Sequence, residues 1–124
     1  LKRSRLPRVS PKQAQKNKEW HALVAHLVEY RAHGRDELSG RYVGFVGKWG
    51  LQGAHIQPRR YNIHTAGNCL IADNITHDHS KYPNGLPISQ EEALELVAKL
   101  NEKYGIDPEL TGADVLRMKG IASG

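Results

Sequence analysis

Apolar residues recur at helical spacing in the first third of the chain. Trp20, Leu23, Val24, Leu27 and Val28 fall at i, i+3, i+4, i+7 and i+8, which is one face of an amphipathic helix. Ser10 suits the N-cap, Pro11 the first helical position and Gln13 the capping-box position. The pattern predicts a helix from about residue 11 to His33, ended by Gly34 in a left-handed cap. A second helical pattern follows the capping box Ser89 and Glu92. It places Ala93, Leu96, Val97, Leu100 and Tyr104 on one side, with Gly105 behind it. Thr111 is placed to cap a last short helix through Met118.

Between these helices the apolar runs are short. Residues 41–47 carry Tyr42, Val43, Phe45 and Val46 broken by glycines, and predict a strand. Residues 51–57 predict a second strand, stopped by Pro58, and residues 68–72 a third. Asp73 or Asn74 then caps a predicted short helix reaching about Tyr82, ended by Pro83, Asn84 and Gly85. The order of elements predicts an α+β fold in one domain over residues 10–124, preceded by an arm over residues 1–9.

Charge adds a partner to this picture. The chain of 124 residues holds 18 Lys and Arg against 13 Asp and Glu, a formal net of +5. Residues 1–90 carry +8 and residues 91–124 carry −3, and the first eighteen residues hold seven bases and no acid. A polyanion such as DNA or RNA fits that excess, because each neutralised phosphate releases counterions; a solvated basic tail is the other reading. No apolar run approaches the roughly 18 residues needed to cross a bilayer, and the arm has no apolar face for a membrane surface. A single cysteine, Cys69, makes neither an internal disulfide nor a CxxC zinc knuckle, so a reducing, cytoplasmic compartment is expected.

The histidines supply candidate chemistry. Four of seven, His55, His64, His77 and His79, lie between positions 55 and 79. Histidine is the commonest general base and a common metal ligand near neutral pH. Taken singly, each is more ordinarily a surface residue. Together, a strand histidine facing one on a packed helix makes a rigid pair across a small cleft.

The stretch from Gly53 to Tyr82 resembles the HNH nuclease motif, the ββα-metal or His-Me finger fold. There a strand ends in a residue pair followed by an apolar residue, and an Asn opens the segment leading to a metal-binding histidine. Ala54, His55 and Ile56 match the first element, Asn68 the second, and His77 follows Asn68 by nine residues. The basic leader and amphipathic helix are similar to those of small phage-type recombination nucleases of the NinG-like group. The resemblance implies a ββα core at about residues 51–82 and a helical part at 89–119. It implies a DNA endonuclease that hydrolyses a phosphodiester, its substrate including branched or recombination DNA. His55 would activate water, Asn68 would hold the base by bonding across the motif loop, and His77 would bind a divalent cation, Mg or Mn with Zn as a further option. Arg59, Arg60 and Lys81, with Arg3, Arg5 and Arg8 of the arm, are candidates for holding phosphates. Asn68 could equally cap a turn, and the arginines could be solvated.

Two departures bear on that implication. Ala54 stands where many members have the first metal ligand, and a methyl group cannot bind a cation. The ion would then need His77 with Asp73 or His79. On a helix Asp73 and His77 share a face, whereas Asp78 and His79 point elsewhere. Many relatives also hold a structural zinc on four cysteines. Here Asp73 and Thr76 occupy the second pair, and the Asp36–Gly40 turn stands where the first would be. Two other readings stay open: a DNA-binding module of the same fold without cleavage, and an interaction domain docking through its acidic C-terminal helix. The long first helix has apolar length for either a monomer's own core or a homodimer interface.

Overall fold

The computed structural model describes residues 10–123. The basic arm, with Arg3, Arg5 and Arg8, lies outside them. Helix α1 spans Pro11–Leu27, and Ser10 Oγ accepts the Gln13 N–H at 3.1 Å as its cap. The chain continues as a π-helical turn, Val28–Ala32. His33 and Gly34 both take left-handed φ, 53° and 78°, so termination begins one residue before the expected glycine. The widened turn carries Arg31 into the interior. Its guanidinium makes a bidentate ion pair with Glu37 and donates to the carbonyls of Ala66 and Cys69 and to Asn101 Oδ1. All five donors of a buried cation thus meet acceptors, the condition under which its burial is tolerable.

Strands β1 (Leu51–His55) and β2 (Cys69–Asp73) form an antiparallel pair with Leu51 opposite Asp73 and His55 opposite Cys69. Every residue of β2 is buried. The reason is that both faces are covered, which a near-continuous apolar run suits. Cys69 and Ile71 join Leu23, Val24, Leu27, Leu51 and Val115 in one core cluster. Leu70 and Ala72 join Ala54, Ile56, Leu86, Ala93 and Val97 in the other. The strand alternation thus divides the two clusters between α1 with α3 (Gly112–Ser123) and α2 (Gln90–Lys103). The capping box of α2 is present as Ser89 with Glu92, and Thr111 with Asp114 makes the equivalent exchange before α3. Among the described residues the fold is α+β: three α-helices and one two-stranded sheet. No helix there is long and apolar enough to cross a membrane.

Two predicted elements do not form. Residues 41–47 make single bridges, Arg35 with Tyr42 and Val46 with Leu51, instead of a strand. Tyr42, Phe45 and Val46 are exposed, so burial, the usual reason these residues favour strands, is missing. Residues 74–82 form turns instead of a helix. Asp73 does cap the Ile75 and Thr76 N–H groups, but Asp78 then accepts from the Ser80 N–H and hydroxyl, and the Asp78 N–H goes to the Gly85 carbonyl. Local side-chain acceptors have displaced the helical ladder.

The two turns that the resemblance aligned with cysteine pairs are tied together without metal ligands of that kind. Asp36 Oδ1 accepts from the Leu38 and Ser39 N–H groups, as Asp73 Oδ1 does from Ile75 and Thr76. Asp36 Oδ2 accepts from the Asp73 N–H at 2.9 Å, and the Arg41 guanidinium pairs with Asp73 Oδ2. A cation and two carboxylates therefore stitch one turn to the other.

Candidate functional site

A concavity of about 610 Å³ opens between α1 and the segments flanking the hairpin. His55, His64, His77 and His79 all line it, with Lys16, Arg59 and Arg60, and among the described residues no Asp or Glu does. His55 reaches it because β1 lies close under α1. Gly53 permits this, since a Cβ there would collide with Val24 Cγ2. The close approach stacks His55 on Trp20, ring centroids 3.7 Å apart and planes inclined by 12°.

Hydrogen bonds order the imidazoles. Asn62 Oδ1, only an acceptor, lies 2.9 Å from His64 Nε2, so that nitrogen carries the proton and His64 Nδ1 is the lone-pair atom. His64 Nδ1 lies 3.0 Å from His55 Nε2, which must donate. The neutral pair therefore leaves His55 with an unprotonated Nδ1. Burial first, then the nearby His64, Arg59 and His77, lowers the His55 pKa to about 4. Burial also lowers His64, with Lys16 and Arg59 adding to it.

Asn68 is buried beneath the loop between the strands. Its Oδ1 accepts the Gln57 N–H at 2.7 Å, and its Nδ2 donates to the carbonyls of Gln57 and Ile63. It spans the loop from which Arg59, Arg60, Asn62 and His64 project.

His77 and His79 stand 5.1 Å apart, ring to ring, on the turn that replaces the predicted helix. Gly85 backs them at φ 80°; a Cβ there would sit 2.7 Å from the His79 ring. His77 Nδ1 is 2.9 Å from Gln52 Oε1 and so carries the proton, which leaves Nε2 free to bind a cation. Asp73 is not with them. It is ion-paired to Arg41, caps the turn, and lies opposite Leu51 at the far end of the hairpin from His55. The helical-face expectation is thus reversed, because without a helix His79 joins His77 and Asp73 does not. Lys81 is exposed beside Tyr82 and does not line the cleft. Among the described residues, no three His, Cys, Asp or Glu side chains are grouped to hold an ion.

Sequence reasoning counted His64 among the clustered histidines without a role, and missed Trp20, Gln52 and Asn62 as site residues. Trp20 reads as core from its helical spacing, and the others act only through contacts made by folding. No protein-family model, curated protein or solved structure matches the chain.

Proposed function

We propose that the chain is an HNH-type DNA endonuclease that hydrolyses a phosphodiester in the histidine-lined cleft. One observation carries this reading: His55, whose Nε2 is bonded to His64 so that Nδ1 is unprotonated, lines a cleft whose charged lining among the described residues is entirely cationic. A phosphodiester is the anion such a cleft would accept, with Arg59, Arg60 and Lys16 on its non-bridging oxygens. His55 Nδ1 takes a proton from water as the water oxygen bonds to phosphorus. The bond to the leaving sugar oxygen breaks, and that oxygen takes a proton from solvent. The imidazolium formed on His55 is held by its Nε2–H bond to His64 and by the phosphate beside it.

His77 and His79 are the residues that would hold a divalent cation. When bound, such an ion supplies positive charge for the phosphate and the leaving oxygen. Imidazole donors without a carboxylate fit Mn, Co or Zn better than Mg, with water and substrate oxygens completing the set.

A silent DNA-binding module is the second reading. It is favoured by Ala54, whose side chain is buried in the core cluster against α2 and adds no ligand to the cleft. Nicking of supercoiled plasmid decides between them. With Mn, Co, Zn or Mg supplied in turn, the enzyme reading expects relaxed circles, and His55→Ala lowers the rate by about 10²–10⁴-fold. Binding without nicking in any of these ions supports the silent module.

A further inference from the structure

A smaller pocket of about 280 Å³ opens beside the cleft and shares Trp20, His21, Gly53 and His77 with it. Its remaining walls are Val24, Val46, Gly47, Lys48, Leu51 and Gln52, so its interior is largely apolar. Lys48 at its rim lies 5.3 Å over the ring of Trp49, which is 72% exposed. Arg60, which lines the cleft, lies 5.0 Å over the exposed ring of Tyr61. Two exposed aromatic rings thus each stand next to a cation, one beside the rim of the side pocket and one beside an arginine of the cleft.

We infer that the DNA taken here is unpaired: one base enters the side pocket while its phosphate lies in the histidine cleft, and a neighbouring base stacks on Trp49. The inference rests on the endonuclease reading and names its substrate class. A continuous duplex presents phosphates but hides its base faces, so it would use the cations and leave the pocket and the rings unused. An unpaired strand uses both, since bases stack on aromatic side chains as the groove's cations track the backbone. The pocket's volume is near the lower end for small-molecule sites, roughly 300 Å³, which suits one flat heterocycle. The cations beside the rings argue for this occupant over a second copy of the chain, whose first 90 residues carry the same excess of positive charge.

The test is fluorescence anisotropy with a labelled single-stranded oligonucleotide and a hairpin duplex of equal phosphate number, at low salt in EDTA. The intact chain should bind the single strand about tenfold more tightly than the duplex. Trp49→Ala, and separately Val46→Trp to fill the pocket, should each remove most of that preference while leaving duplex binding within twofold. Trp49→Phe should retain it. Equal affinity for the two DNAs, or equal loss on both in Trp49→Ala, overturns the inference and leaves the endonuclease reading standing. No binding to either DNA overturns both. A dimer in sedimentation that Trp49→Ala dissolves gives the surface to a second copy and also overturns the inference.

Discussion

His55 is held by contacts that make it neutral and directional before any substrate arrives. Burial and the nearby His64, Arg59 and His77 disfavour the imidazolium, and His64 receives the only proton the neutral ring carries. A base with a pKa of about 4 is fully unprotonated at pH 7 but weak. An anionic phosphodiester alongside reverses the local charge and raises that value. The protonation of His55 should therefore differ between free and occupied protein. In an NMR titration, the free protein's His55 ring should have its midpoint near 4, well below an ordinary histidine. A non-hydrolysable oligonucleotide phosphorothioate should move it upward. The acid limb of kcat/KM, which reports the free protein, should then lie below the acid limb of kcat. Coincident limbs near the ordinary histidine value would show that the ring is not held as described. Cys69, by contrast, has its thiol pushed up to about 12 by burial and is a core residue without thiolate chemistry.

At the scale of elements, the hairpin's partners are its turns. Asp36 is 1% exposed and accepts three backbone N–H groups, two from its own turn and one from Asp73. Replacing it by Ala strands buried donors and unties the turns, and should cost about 2–3 kcal/mol in chemical denaturation. Asp36→Asn keeps one acceptor oxygen and should lose less. Equal stability of Asp36→Ala and the parent would remove the turn-to-turn link from the account. Gly85 has a different effect. Ala there meets both a left-handed backbone and the His79 ring, so the two imidazoles must move. Gly85→Ala should lower stability by roughly 1 kcal/mol. It should weaken binding of Mn or Zn in calorimetry, whereas a loss of stability with unchanged metal binding would separate the turn from the site. The helices were legible from sequence because their periodicity and caps are local: Ser10, Ser89 and Thr111 each lie where the chain enters a helix. The segment 74–82 was not, because Asp78 and Ser80 form bonds that helical spacing does not register. The histidines announced a site by their density, yet their partners Trp20 and Gln52 lie 35 and 25 positions away in the chain and carry no sign of the contact in sequence.

Across the whole molecule, charge and architecture divide along the same line. The acidic helix α2 follows the hairpin within residues 91–124, which carry a net of −3, and the basic excess lies in residues 1–90. The cleft lies on the basic side, where α1 contributes Lys16 and the interstrand loop contributes Arg59 and Arg60. The α1 helix begins at Pro11, so the arm carrying Lys2, Arg3, Arg5 and Arg8 is attached at the end of α1 from which Gln13, Lys16 and Asn17 line the cleft. Its cations are close enough in the chain to extend the phosphate path outward from the cleft. If they do, binding loses both affinity and salt sensitivity when the arm is removed, because each lost phosphate contact returns its counterions. For single-stranded DNA the slope of log K against log salt changes by about 0.7 per contact. Deleting residues 1–9 should therefore flatten it by roughly 2–3 if all four cations engage. The cleft variants Arg59→Gln and Arg60→Gln should each flatten it by about 0.7 and, unlike the deletion, should also slow nicking at saturating DNA. An unchanged slope after the deletion would confine the DNA to the cleft itself and assign the arm's charge to a solvated tail.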